Sequence, residues 1–416
     1  MYDIIILGGG IAGLNCAYQI LKKSSIAPTI LILEKEHVLG GRVDTYNDRY
    51  MSVEAGGSRF HTGQHHIMKL IRELGLSSKL VPIHTNMIYA DSDSGKIIDS
   101  TKMYSVLINK LIHASSKVSP ELLINKSFLD FSETVLDKTE VQFLQNSFGY
   151  YSELVIMNAR DAMHLITQHL LSKHQFYVLS GGVSQIIENL TDRILAHSSS
   201  QILKNRNVCD ICRIDTGFEI SCTGIQKKYY AKKVICALPK QVIEDITLFR
   251  PIKPMLRHIV CAPLCRIYSK FALVNGEPWF KNISKLTTNN NLRMIIPIDS
   301  EKGIIMVSYS DNKYARFWKR LYDKGGEDSI NKEIARLTKK TTGIDIPEPV
   351  KTNIFFWGCG VGYWGIGADS ATLSRDLVQP FKSMNLFICG EHFSEKNQQW
   401  MEGALDTGEK VIHKII

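Results

Sequence analysis

Gly8, Gly10 and Gly13 are spaced as G-x-G-x-x-G within Gly8-Gly9-Gly10-Ile11-Ala12-Gly13. Glu34 follows at about the 20-residue distance at which an acid completes a dinucleotide-binding fingerprint. Such a set can grip a pyrophosphate and a ribose. Gly8 permits a tight turn, Gly10 lets backbone N–H groups approach a phosphate, and Gly13 lets a helix pack close to a strand. Ile11 and Ala12 would open that helix, where unpaired N–H groups and the dipole favour an anion. Glu34 can accept hydrogen bonds from a ribose diol, and its charge would repel a 2′-phosphate. Downstream, Gly40-Gly41-Arg42 can bring backbone and a cation to a phosphate; taken alone it is equally an ordinary turn with a solvated arginine.

The flanking elements must hold these residues in register. Tyr2 to Leu7 is an apolar run of strand length, Ile11 to Lys23 carries apolar residues at helical spacing, and Thr29 to Leu33 is a second buried strand ending at Glu34. Further along, Gly181-Gly182-Val183 opens a helix. Strand-like stretches follow around Ile202, at Val208 to Asp215, at Phe218 to Cys222 and at Lys233 to Ala237. Residues 61–174 are mostly helical in pattern, with Ile67, Leu70, Ile71 and Leu74 three and four apart. The stretch 240–355 mixes strands such as Gly303 to Tyr309 with helices such as Asp328 to Thr341.

The chain resembles the flavin-containing amine oxidoreductases, the family of monoamine, polyamine and L-amino-acid oxidases. Beyond the glycine turn and Gly40-Gly41-Arg42, the resemblance runs through Val53-Glu54-Ala55-Gly56-Gly57-Ser58-Arg59, Gly181-Gly182, Val208 and Val234 to Pro239. It closes with Leu386 to His392 and Trp400 to Glu409, so it covers the whole chain. It implies FAD, held by Gly8, Gly10, Ile11, Ala12 and Gly13 at the pyrophosphate and by Glu34, Lys35 and Val208 towards the nucleoside. Gly41 and Arg42, the loop Gly57-Ser58-Arg59, and the tail residues Gly390, Glu391, Trp400, Met401 and Ala404 would complete the site. The implied fold is α/β: a Rossmann-like, GR2-type FAD-binding domain built from 1–60, 175–239 and 356–416. A discontinuous α+β substrate-binding domain would come from 61–174 and 240–355.

Flavin oxidation of an amine needs the donor carbon against flavin N5, a neutral amine and no competing water. Aromatic walls upright on the flavin supply an apolar slot for this. By resemblance Trp400 is one wall and Trp364 the other. Tyr363 stands where monoamine oxidases carry the cysteine that bonds to the cofactor, which implies non-covalent FAD. Arg59 falls where L-amino-acid oxidases grip the substrate carboxylate, a task that suits a planar guanidinium fork. The alternatives for Arg59 are lining the pyrophosphate or pairing with a surface acid. The family's lysine beside flavin N5 corresponds to Arg266, or to Lys270 if the strand slips by a bulge.

Bulk composition bounds the rest. The 416 residues are 44% apolar and 22% charged, as in an ordinary globular protein of two intertwined domains. The longest apolar runs are strand-length, so no membrane span is expected. A first strand starting at Tyr2 leaves no room for a leader, which points to a cytoplasmic or other reducing compartment. The net charge of +9 is scattered in pairs such as Lys22-Lys23 and Lys227-Lys228, without the dense stripe that nucleic acid requires. Nine cysteines without pattern suit reduced thiols, and Cys209-Asp210-Ile211-Cys212 lacks a second pair to bind zinc. His61, His65 and His66 have no carboxylate or cysteine beside them in sequence, so no metal is expected.

The leading expectation is therefore an FAD-dependent L-amino-acid oxidase, turning an amino acid and O2 into a keto acid, ammonia and hydrogen peroxide. A polyamine or monoamine oxidase is the near alternative. A catalytically silent flavin-binding protein with a structural or partner-binding role is the other. Oligomeric state stays open, a homodimer among the options.

Overall fold

The computed structural model describes residues 1–83, 88–170 and 173–416. One sheet is built around parallel strands in the order Ser200–Leu203, Ile30–Leu33, Tyr2–Leu7 and Ile225–Cys236, with Leu386–Ile388 on the last of these. Tyr2–Leu7 sits centrally and is covered on both faces, which is why its run is continuously apolar. Side chains alternate across it. Ile4 and Ile6 join helices Ile11–Lys23, Ser184–Leu195 and Met401–Ile415 in one core. Ile5 and Leu7 join a second core, beneath the antiparallel strands Val208–Ile214 and Gly217–Cys222. The helix expected over Ile11 to Lys23 and the strand expected up to Leu33 are both present.

A second sheet runs Lys351–Trp364, Ile259–Lys270, Ile304–Asp311, Met294–Asp299, Leu286–Thr288, Ile88–Ala90 and Ile97–Asp99. Strand Lys351–Trp364 pairs with Ile259–Lys270 along its length, so residue 356 lies inside a strand. Helix Asn312–Thr342 covers this sheet through Trp318, Ile330, Ile334 and Leu337. It is kinked at Gly326, whose φ of 61° only glycine adopts without strain, and ends at Gly343 in the left-handed conformation. Short helices between Thr101 and Leu165 form a third core that packs on Ala262, Val361 and Tyr363. Among the described residues, no helix is long and apolar enough to cross a membrane.

Candidate active site

The nucleotide end is assembled by the first sheet. Helix Ile11–Lys23 has Gly10 as N-cap and no capping side chain, leaving the first-turn N–H groups of Ala12 and Gly13 open to an anion. A Cβ on Gly13 would collide with the Gly8 carbonyl oxygen, whereas one on Gly10 would meet only the Gly40 oxygen at 3.7 Å. The room beside Gly10 is the cradle a pyrophosphate needs. Glu34, 7% exposed, accepts the Gly9 N–H at 2.7 Å through Oε2 and the Glu36 N–H at 2.9 Å through Oε1. Each oxygen keeps a lone pair for a ribose hydroxyl. Lys35 is exposed and paired with Glu36 at 3.1 Å. The Arg206 N–H donates to the Glu34 carbonyl at 2.7 Å, which brings the start of strand Val208–Ile214 alongside that acid.

Arg42 ties the two ends of the chain together. Its Nη1 donates to Glu391 Oε1 at 2.5 Å and to the Gly360 carbonyl at 2.9 Å, and lies 3.1 Å from His392 Nε2. The Arg42 side chain as a whole is 31% exposed and these contacts all use Nη1, so its Nε and Nη2 donors are left for an anion. His392 Nδ1 accepts the Lys240 N–H at 3.2 Å, so the ring proton belongs on Nε2, 3.2 Å from Glu391 Oε1. Burial alone would raise the Glu391 carboxyl, but His392 and Arg42 outweigh it and hold it at about 2. Burial lowers His392, against the pull of Glu391. Gly41 stands against Gly10, and the Gly57 N–H donates to the Arg42 carbonyl at 2.8 Å. Ser58 follows, half-buried, and Gly390 donates to Thr407 Oγ1 at 2.9 Å.

The far end is aromatic and cationic. Trp400 is the N-cap of helix Met401–Ile415, with Met401 against Gly57 and Ala404 a turn further on. The Trp400 ring meets His61 edge-on at 5.7 Å and Phe176 at 6.3 Å. The Arg59 guanidinium lies 5.7 Å from the Trp400 ring and 5.3 Å from Phe176, and donates to the Tyr150 hydroxyl at 2.6 Å. No ion pair to Arg59 occurs among the described residues, so a surface acid does not hold it. Tyr150 packs edge-on against Tyr309 at 5.8 Å, and Arg266 lies 4.8 Å from the Tyr309 ring.

Arg266 does more than face that ring. Its Nη1 donates to the Glu54 carbonyl at 3.0 Å, beside Tyr268 donating to the same oxygen at 2.8 Å and Trp357 donating to Ala55 at 2.8 Å. Three side chains of the second sheet thus bolt down the loop that carries Arg59. Lys270 lies at the far end of the same strand, opposite Lys351, four residues or about 13 Å away. The Glu54 carboxyl accepts from Thr45 and Val183, and burial pushes it up to about 7.

Trp364 corrects an expectation. It is fully buried in the core under the first sheet, its indole N–H bonded to the Ser394 carbonyl at 2.8 Å, so it offers no wall to a cavity. Strand alternation puts Tyr363 on the opposite face, packed among the helices and electrostatically coupled to Asp311, Glu153 and Tyr309. Cysteine pairing is a second correction. Cys261 and Cys359 form a disulfide, while Cys209 and Cys212 are free and exposed. Cys261, Cys359 and His392 are also close enough together to suggest a metal site. However, the sulfurs are bonded to each other and His392 Nε2 keeps its proton, which leaves no ligand set.

His61, Phe176, Tyr150, Tyr309, Glu153 and Lys285 join the site without a motif that announces them. Glu153 is 4% exposed and its Oε2 has no hydrogen-bond partner; burial first, then Asp311, raises its carboxyl, against Arg59. Burial, reinforced by Arg59, lowers Lys285 to about 7. Burial, with His174 and Arg59, lowers His61 to about 4, so its ring is neutral at ordinary pH.

A dinucleotide turn at one end and an aromatic, cationic cluster at the other are the parts of a dinucleotide-dependent oxidoreductase. The family model described as flavin containing amine oxidoreductase matches residues 11–411, and the chain belongs to that family, with FAD as its cofactor. It is 23% identical to uncharacterized protein R188 of Acanthamoeba polyphaga mimivirus, over 99% of this chain and 93% of that protein. It is 23% identical to a probable flavin-containing monoamine oxidase A of Dictyostelium discoideum, over 100% and 97%. A putrescine oxidase structure with bound putrescine superposes with a TM-score of 0.80 at 16% identity, over 100% and 98%. That likeness carries the fold.

Proposed function

We propose that this FAD-dependent amine oxidase acts on amines that carry a carboxylate, as an L-amino-acid oxidase does. The observation that carries the reading is Arg59, a guanidinium beside Trp400 held by a tyrosine hydroxyl and, among the described residues, ion-paired with no carboxylate. A substrate carboxylate supplies the missing partner through a bidentate pair. Burial, reinforced by Arg59, lowers Lys285 to about 7, so Arg59 is the firm positive charge on that side. The first sheet carries FAD through Gly10, Glu34 and Arg42, and the second sheet with the helices covers the substrate. FAD, when bound, supplies a two-electron acceptor. The chain's own residues do the positioning. Trp400 flanks the reacting carbon, the apolar wall of Phe176 excludes water, and Arg266 fixes the loop that aims Arg59.

Turnover on this reading gives an imine that water hydrolyses to a keto acid and ammonia, with O2 taking the electrons as hydrogen peroxide. The second reading is a monoamine or polyamine oxidase. It is favoured by the relatives, which include a probable monoamine oxidase and a putrescine oxidase structure. An anaerobic bleaching screen across L-amino acids, monoamines and diamines decides between them. Bleaching by amino acids, with KM raised at least tenfold in Arg59→Met, is the expected result. Bleaching by diamines alone, untouched by Arg59→Met, sinks the carboxylate reading.

A further inference from the structure

Cys261 and Cys359 join strands Ile259–Lys270 and Lys351–Trp364, with Cα atoms 5.2 Å apart, and both are half-buried. Cys359 Sγ lies 3.7 Å from His392 Nε2, and the next residue, Gly360, accepts from Arg42 at 2.9 Å. The other close pair, Cys16 and Cys389 with sulfurs 3.9 Å apart, is wholly buried and beyond the reach of a solute. Only the first pair therefore combines access with a cationic, proton-donating neighbourhood.

We propose that Cys261–Cys359 is an exchange site for small thiols whose oxidation state sets how tightly the protein holds FAD. A small thiolate attacks Cys261 Sγ, the S–S bond breaks, and Cys359 leaves as a thiolate. Cys359 is the better leaving group because the His392 N–H, 3.7 Å away, can stabilise its charge, with Arg42 one residue along at the Gly360 carbonyl. A second small thiolate then attacks the mixed disulfide at its outer sulfur and releases Cys261. Two small thiols become one disulfide, and the protein gains two electrons. One of the two thiol protons goes to Cys261, and the other goes to solvent. The Cys359 thiolate then competes with Glu391 for His392 and with the cofactor for the exposed donors of Arg42. Crosslinked, the pair leaves Arg42 to FAD; reduced, it draws Arg42 away.

The proposal rests on Arg42 contacting FAD, and the experiment separates the two. Denatured, air-equilibrated protein is expected to show seven free thiols, rising to nine after reduction. Nine before reduction overturns the proposal. FAD affinity, read by quenching of flavin fluorescence on titrating apoprotein, is expected to weaken about tenfold in dithiothreitol, the scale of one lost charged contact. Cys261→Ser leaves a free Cys359 and should bind FAD weakly in either condition. Cys359→Ser removes the thiolate and should bind tightly in both. Equal affinity of these two variants overturns the proposal. Arg42→Met should bind weakly and ignore dithiothreitol. Unchanged affinity there would show that Arg42 does not hold FAD. Weak binding there, with wild type indifferent to dithiothreitol, sinks the thiol site alone.

Discussion

Glu54 and Glu391 are carboxyls of one site that burial and charge move in opposite directions. Glu391 is held at about 2 because His392 and Arg42 outweigh its burial. Its contribution to stability is present above the ordinary carboxylate range near 4.5 and fades only as pH falls towards 2. Glu54 is raised to about 7 chiefly by burial, with the Val183 N–H, the Thr45 hydroxyl and then Arg266 only partly offsetting it. In the folded state it stays protonated through a range where the unfolded chain has released its proton. Its contribution is complete below about pH 4.5 and is lost as pH rises to about 7, a swing of roughly 3 kcal/mol at most. Glu54→Gln is therefore expected to flatten the stability profile between pH 4.5 and 7, measured as urea midpoints. A variant whose midpoints fall as steeply as wild type over that window would place the titration elsewhere. The roles of such residues were unequally legible. Arg59 and Trp400 stood out because motif neighbours flanked them. Tyr150, at the N-cap of helix Tyr151–Val155, and Tyr309, on strand Ile304–Asp311, carry no local signal, and only tertiary packing brings Tyr150 to Arg59 and Tyr309 against Tyr150.

Elements explain which glycines the cofactor needs and which the fold needs. Gly13 lets helix Ile11–Lys23 press on the turn, and a methyl there would strike the Gly8 carbonyl and crowd Ile6. Gly10 has an extended backbone at φ −78° and open space beside it, so alanine fits the apoprotein and obstructs only what binds there. Gly10→Ala is expected to keep the apoprotein's melting temperature while weakening FAD binding by at least tenfold. Gly13→Ala should lose both. Equal losses in both apoproteins would mean that Gly10 is structural. Strand phase was the element-scale feature that sequence could not supply. Tyr363 and Trp364 are consecutive, and they sit on opposite faces of strand Lys351–Trp364. Placed in the core, Trp364 should cost about 3–5 kcal/mol when cut to alanine, read by denaturant unfolding of the apoprotein. The Cys261–Cys359 pair was hidden for a related reason. Its members are 98 residues apart and meet only through a bulged strand pairing.

At the scale of the whole molecule, the two ends of the chain meet, and on the proposed reading they close on one cofactor. Gly10 and Arg42 come from the start; Glu391 and Trp400 come from the last turn of sequence, and Arg42 bonds Glu391 directly. Whatever binds between them binds the folded chain alone, because unfolding separates its contacts by hundreds of residues. Linkage then stabilises the protein by about 2.7 kcal/mol at a free FAD concentration one hundred times Kd. Unfolding entropy scales with chain length, and for a chain of 416 residues that gain corresponds to a rise of about 3 °C in melting temperature. Each further tenfold in FAD should add about half as much again. The rise should shrink in Arg42→Met, and dithiothreitol should shrink it in wild type but not in Cys359→Ser. A melting temperature indifferent to added FAD in the apoprotein would mean that FAD does not bind the folded chain in preference to the unfolded one, and that the space between Gly10, Arg42 and Glu391 is not its site. Arg42 and Glu391 would then be a structural latch between the two ends of the chain and not a cofactor contact.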